Sequence, residues 1–143
     1  MDFNLPADLV DYLAKIDAFI EAEIKPLQAQ DDNERFFDHR REWARTDFDK
    51  GGLPRPEWEA LLVKAKKLAD KAGFFRFSLP REFGGQDGNN LWMSVIRDHL
   101  AAKGLGLFND LQNEHSVVGN FPFIVMLRDF GTHDQTMDFL FLM

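Results

Sequence analysis

An all-α bundle of five or six helices is the fold class this sequence predicts, and three observations predict it. Apolar residues recur at spacings of three and four in several separate segments, the pattern of helices with one buried face. No segment sustains the apolar–polar alternation of a half-buried strand. Glycine, proline and asparagine fall between the periodic segments, where helices must begin and end. At 143 residues the chain is expected to be a single helical domain over 1–143, large enough to bury roughly 70% of its unfolded surface. A hydrophobic content of 45% with 13% aromatic argues against disorder. No repeat or low-complexity tract is present.

The first helix is expected over residues 6–28. Leu9, Leu13, Ile16, Ile20 and Ile24 form its stripe, Pro6 suits the first turn, and Pro26 should end or kink it. Residues 29–55 are mixed. Glu34–Arg45 reads as a short helix or an ordered loop, and Thr46–Pro56 carries turn signals throughout. A helix from about Pro56 to Ala72 follows, with the stripe Trp58, Leu61, Leu62, Ala65, Leu68 and Ala69. Lys64, Lys66, Lys67 and Lys71 complement its C-terminal dipole, and Gly73 is its C′ residue. Asn89 or Asn90 caps a helix over 90–103, apolar at Leu91, Val95, Ile96 and Leu100 and ended by Gly104. Residues 110–130 read as a further helix, apolar at Leu111, Val118, Phe121, Ile124, Val125 and Leu127. Pro122 either kinks it or marks a late start near Asn120; the kink is favoured because Val117 and Val118 continue the stripe upstream. Gly131 closes it, and a last helix runs from near His133 to the terminus.

Charge and composition exclude several functions. A net charge of −7 and a pI near 5.0 disfavour nucleic acid, whose affinity rests on phosphate neutralisation by Lys and Arg. The charge is uneven: residues 1–50 hold 13 acids against 7 bases, net −6, and residues 51–143 hold 11 against 10, net −1. Zero cysteines exclude disulfides, thiolate metal centres and a cysteine nucleophile. Met1-Asp2-Phe3-Asn4 lacks a basic signal region, and no run of about 18 apolar residues could span a membrane, so a soluble cytoplasmic protein is expected.

Catalytic constellations are sparse. His39, His99, His115 and His133 have no ligand spacing, and no metal site is expected. Phe83-Gly84-Gly85-Gln86-Asp87-Gly88 follows no strand and precedes no Lys-Ser/Thr, so a tight helix–helix connection needing positive φ outweighs a phosphate cradle. None of Thr46, Ser78, Ser94, Ser116, Thr132 and Thr136 has the setting of an activated nucleophile. No residue is therefore assigned a catalytic role. Asp110, Glu114 and Val118 would fall at i, i+4 and i+8 of a helix. That face is either the wall of a substrate cavity or a solvated surface, and charge statistics favour the second.

Four landmarks in order carry a resemblance. They are the acidic helix ending Ile24-Lys25-Pro26, the Trp58–Gly73 helix running into Phe77-Ser78-Leu79-Pro80-Arg81-Glu82-Phe83-Gly84-Gly85, then Gly119-Asn120-Phe121-Pro122-Phe123-Ile124, and Phe130-Gly131-Thr132-His133-Asp134-Gln135. Together they resemble the helical amino-terminal domain of the acyl-CoA dehydrogenase family, over nearly the whole chain. The charged stretch around Asp31–Pro56 is longer than in typical short- and medium-chain members and looks like the larger, less characterised branch. The resemblance implies FAD-dependent α,β-dehydrogenation of an acyl-CoA thioester, with these helices as one wall of the acyl pocket. By position against the Gly119–Pro122 landmark, Asp110, Leu111, Glu114, His115 and Val118 would face the acyl chain, although two buried acids there would be costly.

The resemblance also implies that the flavin-binding β-barrel and the carboxy-terminal bundle holding the base lie outside residues 1–143. The chain alone is then expected to be inactive and to bind no FAD. Thr136–Met143 departs from the family in being almost uncharged, and its apolar end Phe139–Met143 offers a route to a homo-oligomer. Two alternatives stay open: a stand-alone helical interaction module that reuses the fold, and a small bundle whose cavity takes an acyl chain without chemistry.

Overall fold

A computed structural model describes residues 4–38, 40, 42–109 and 117–141, with the backbone alone for residues 42 and 139–141. Helix α1 (Ala7–Phe19) starts directly after Pro6, whose carbonyl accepts from the Leu9 and Val10 amides, both at 3.1 Å. It runs through a π-helical turn (Ile20–Ile24) into α2 (Lys25–Ala29). The helix therefore does not end at Pro26 but continues to Ala29. A proline ring in an α-helix strikes the carbonyl four residues earlier. Here the turn before it is widened, with the Lys25 amide bonded to the Ile20 carbonyl, and the chain passes through as one rod. That rod keeps Leu9, Leu13, Ile16, Ile20, Ile24 and Leu27 buried along one side.

Residues 30–54 resolve the uncertain stretch into short pieces. Gln30–Phe37 forms 3₁₀ turns interrupted by Asp31 and Asp32 at φ 51° and 57°, and the Arg35 guanidinium donates to both of their carbonyls at 3.0 and 2.9 Å. A 3₁₀ turn at Glu42–Ala44 then leads into a hairpin of β1 (Thr46–Asp47) and β2 (Leu53–Pro54). Among the described residues this antiparallel pair is the one sheet, with strands too short to show alternation. Arg45 pins it: its guanidinium lies 4.4 Å over the Trp58 ring and 5.2 Å over Phe37.

Helix α3 (Pro56–Lys71) ends as its sequence predicts. Phe74 donates to the Ala69 carbonyl (2.9 Å) and Gly73, at φ 84°, donates to Asp70 (3.0 Å), the two bonds of a Schellman stop. Helix α4 (Asn90–Ala102) is capped by Asn89, whose Oδ1 accepts from the Trp92 amide at 2.9 Å. Met93, Ile96 and Leu100 are its buried residues; Leu91, assigned to the apolar side above, is instead 70% exposed because the helical turn carries it to the side opposite those three.

Contacts between these helices give their directions. Tyr12 meets Trp92 at 5.9 Å and Asp17 meets His99 at 2.7 Å, so α1 and α4 run the same way. Trp58, at the start of α3, packs on Phe36 (5.2 Å), while Phe74, just past its end, packs on Phe19 (5.3 Å). Helix α3 therefore runs opposite to the α1–α2 rod, and one hydrophobic cluster joins all three.

The expected helix over 110–130 is corrected. Among the described residues it begins only at Pro122, as α5 (Pro122–Phe130), and residues 117–121 are not helical. Proline at the first helical position costs no hydrogen bond, which favours a late start over a kink. Val117 and Val118 are buried from an irregular segment, and their adjacent burial imitates a helical stripe. Helix α6 (His133–Phe141) opens with a reciprocal cap: the Gln135 amide donates to Thr132 Oγ1 (3.2 Å), and the Thr132 amide donates to Gln135 Oε1 (2.9 Å). The Gly131–Gln135 landmark thus has a local purpose, starting a helix immediately after one has stopped. The side chains of Phe139–Met143 lie outside the described residues.

Candidate functional site

The segment after α4 holds the residues that sequence reasoning singled out, and the bundle pins it at both ends. Gly104 leaves the helix at φ 87°. The Leu107 amide then donates to Gln28 Oε1 at 2.7 Å, tying the segment to the end of the α1–α2 rod. Gly106 is required there, since a Cβ would lie 2.5 Å from the Phe108 ring and 3.1 Å from Gln28 Oε1. Further on, the Val117 amide reaches the Phe108 carbonyl at 3.4 Å, so two residues nine apart in sequence form a neck.

Beyond the neck the chain docks on the loop after α3. Gly119 donates to the Phe75 carbonyl at 2.9 Å, Ser78 Oγ donates to the Gly119 carbonyl at 3.0 Å, and Phe75 meets Phe121 edge-on at 5.3 Å. Leu107, Phe108, Val117 and Val118 are all buried on either side of the neck. Of the five pocket residues expected from the resemblance, Val118 sits in this core at 1% exposure. Asp110, Leu111, Glu114 and His115 lie outside the described residues. Asn109, beside the neck, has a buried Nδ2 without a hydrogen-bond partner.

A groove of about 390 Å³ opens next to this segment, lined by Gln28, Asp32, Glu34, Arg35, Phe37, Asp38, Arg40 and Leu105. Its charged groups largely satisfy one another. Arg40 grips Asp38 through two bonds of 2.9 and 3.0 Å, and Gln28 Nε2 donates to Glu34 at 3.3 Å. Two guanidinium groups and three carboxylates suit water and small polar molecules, not an alkyl chain.

Two other polar groups sit between helices. Asp17 accepts from Lys103 Nζ at 3.0 Å and lies 2.7 Å from His99 Nε2, bridging α1 to α4. Partial burial opposes its ionisation, but the His99 and Lys103 contacts outweigh that and hold its carboxyl below the ordinary value. Tyr12 packs among Phe74, Phe77 and Trp92. Burial pushes its phenol up to about 12, the nearby Gln86 amide offsets only part of this, and the hydroxyl closes no hydrogen bond with good geometry.

The glycines of the Phe83–Gly88 loop make a connection, as expected. Gly84 has φ 81°, a Cβ at Gly85 would lie 1.8 Å from the Leu79 carbonyl oxygen, and one at Gly88 would lie 2.3 Å from the Phe77 ring. The glycines here serve the close packing of the loop on its own chain. The two unpaired buried polar atoms among the described residues, on Tyr12 and Asn109, belong to different parts of the fold. Among the described residues no three His, Asp or Glu groups converge for a metal, and no helix is long and apolar enough to cross a membrane.

Gln28, Ser78 and Gln86 position the segment and its neighbouring loop, and sequence reasoning missed all three. Gln86 Nε2 donates to the Gly73 carbonyl at the end of α3. Their partners lie up to 79 residues away, so no local pattern marks them. No protein-family model matches the chain, and no curated protein or solved structure matches it.

Proposed function

We propose that this chain is the helical amino-terminal domain of an FAD-dependent acyl-CoA dehydrogenase, contributing one wall of the acyl pocket. The contact between two of the four landmarks carries the reading. The stretch Phe77–Gly85 and the segment Gly119–Ile124 resemble the family separately, and Ser78 of the first donates to the Gly119 carbonyl of the second, whose amide bonds to Phe75 just before that stretch. The reciprocal cap of Thr132 and Gln135 gives the fourth landmark a matching physical role.

In this reading the chain holds neither the flavin nor the base. Its part is to present a dry, shaped surface, for which the buried Leu107, Phe108, Val117 and Val118 supply the backing. A flavin bound elsewhere in the enzyme would accept hydride from the β carbon of the acyl-CoA. A cytoplasmic setting belongs to the same proposal, supported by the zero cysteines.

The coding DNA after the codon for Met143 tests it. The expected result is a continuing frame with a β-barrel bearing Thr-Glu-Pro and Gly-Ser-Asp, whose product purifies yellow and bleaches when acyl-CoA is added. A following sequence with no such barrel defeats the proposal. The reading as an interaction module is favoured by one observation, the exposed apolar face of α5.

A further inference from the structure

Seven successive residues, Phe48 to Pro54, are exposed, so the end of the β1–β2 hairpin stands clear of the body. A Cβ added at Gly51 or Gly52 would meet nothing within 4 Å. The hairpin is nevertheless apolar: Phe48 and Leu53, on either side of its turn, are each more than half exposed. So is Trp43, whose carbonyl accepts from Arg55 Nε at 2.8 Å alongside the strands. Charge around the hairpin is sorted by depth. In the Arg40–Asp38 pair the cation side chain is 77% exposed and the carboxylate 22%; in the Lys50–Asp47 pair the values are 71% and 12%. Arg76 and Asp70, an ion pair elsewhere on the surface, are 47% and 36% exposed. The two pairs at the hairpin therefore turn their cations outward and their carboxylates inward, with Asp49 on the turn as the exposed exception.

We propose that the hairpin docks on an anionic lipid surface, with Phe48, Leu53 and Trp43 entering the interfacial layer and Arg40 and Lys50 meeting lipid phosphates. Charge complementarity selects this occupant. Rings and a leucine beneath a fringe of Arg and Lys is the arrangement in which long cationic side chains keep their heads at the phosphates while apolar groups sit just below. The chain as a whole carries −7 and is repelled by such a surface, so the contact is local and orients the molecule hairpin first. At physiological salt, charges more than about 8 Å from the lipid are largely screened, which leaves the outward cations of the hairpin to decide.

Area separates a bilayer from a second protein. At roughly 200 Å² per large side chain, the exposed parts of the three residues amount to about 370 Å². That is about half of the 800 Å² or so that each partner of a standard protein interface buries. A lipid surface needs no matching shape, and its hold grows with the apolar area inserted plus the attraction of cations to anionic headgroups. A small protruding tip is enough for weak, reversible binding of that kind. The contact is peripheral and does not depend on the proposed enzymatic reading.

Co-sedimentation with vesicles tests it. The unaltered chain should pellet with vesicles of phosphatidylcholine containing about a third phosphatidylglycerol, and about tenfold less with phosphatidylcholine alone. Phe48→Ser should weaken binding to the mixed vesicles about tenfold, and Arg40→Gln with Lys50→Gln about thirtyfold, with circular dichroism unchanged in both. Phe130→Ser removes an even more exposed ring, on α5, and should leave vesicle binding as it is. A chain that does not pellet with the mixed vesicles, that pellets equally with both lipids, or that binds undiminished after the hairpin substitutions overturns the proposal. Self-association that Phe48→Ser abolishes, with no vesicle binding, overturns it too and assigns the tip to a second copy.

Discussion

The α1–α2 rod and helix α5 are both strongly apolar, yet they are covered very differently. Along the rod Leu9, Ile16, Ile20 and Ile24 are each at most 1% exposed, and across the bundle Ile96 and Leu100 on α4 match them. On α5 only Ile124 reaches that state, and the largest side chain at its end, Phe130, is almost bare. Apolar content does not decide burial; a facing element does. The rod has α3 and α4 to face, whereas α5 packs against α6 and reaches the body through Ile124, the preceding Phe121 and the Arg128–Glu82 pair at 3.9 Å.

The largest expected effect tests that contrast directly. Ile96→Ala removes atoms from a site with no exposed surface and should cost about 2–5 kcal/mol, the range for emptying a packed core position. Phe130→Ser deletes a larger side chain and should move stability by no more than about 0.5 kcal/mol, because the ring contacts little within one copy. Urea unfolding of the two variants at low protein concentration separates them. If Phe130→Ser costs as much as Ile96→Ala, α5 is held by contacts the exposed face does not reveal, and the contrast fails.

A second substitution asks whether α5 and α6 open independently of the body. Gly119 lies at their join, and a Cβ there would meet the Phe75 carbonyl oxygen and the Phe121 ring, each at 2.8 Å. Gly119→Ala should cost about 1–3 kcal/mol, since a backbone atom cannot give way as a flexible side chain can. Hydrogen exchange should show the loss concentrated in α5 and α6, with α4 amides little changed. Equal acceleration in both would mean that the molecule unfolds as one unit.

The same division explains what the sequence could reveal. The stripes of α1 and α3 were readable because each faces one continuous core, and Asn89, Gly73 and Gly104 end or begin helices by local chemistry. The rod's passage through Pro26 was hidden because the rule for proline describes an α-turn, and a π-turn removes the clash. Pro122 carried the opposite lesson. It marked a helix start, but the burial of Val117 and Val118 from an irregular strand of chain supplied a false upstream stripe. At the candidate site only Val118 falls among the described residues, and it belongs to the core. The residues that hold the segment in place, Gln28 and Ser78, act across the fold and have no signature in the line of letters.

The smallest effect concerns the clasp within the body. Asp17 accepts from Lys103 and lies against His99, so it joins α1 to α4 by charge as well as by packing. Its folded carboxyl titrates below the ordinary carboxylate value, so the folded state binds the proton less readily than the unfolded state. The contribution is therefore fully present above the unfolded value, about 4, and is lost as pH falls through the folded one. With about a third of each side chain in water, the clasp should contribute under about 1 kcal/mol. Asp17→Asn should lower stability by that amount at neutral pH, and the difference from the unaltered chain should close on acidification. Unfolding free energies measured from pH 7 down to about 3 follow both curves. A gap that stays constant with pH would show that Asp17 acts through shape alone, leaving packing as the whole of what holds α1 against α4.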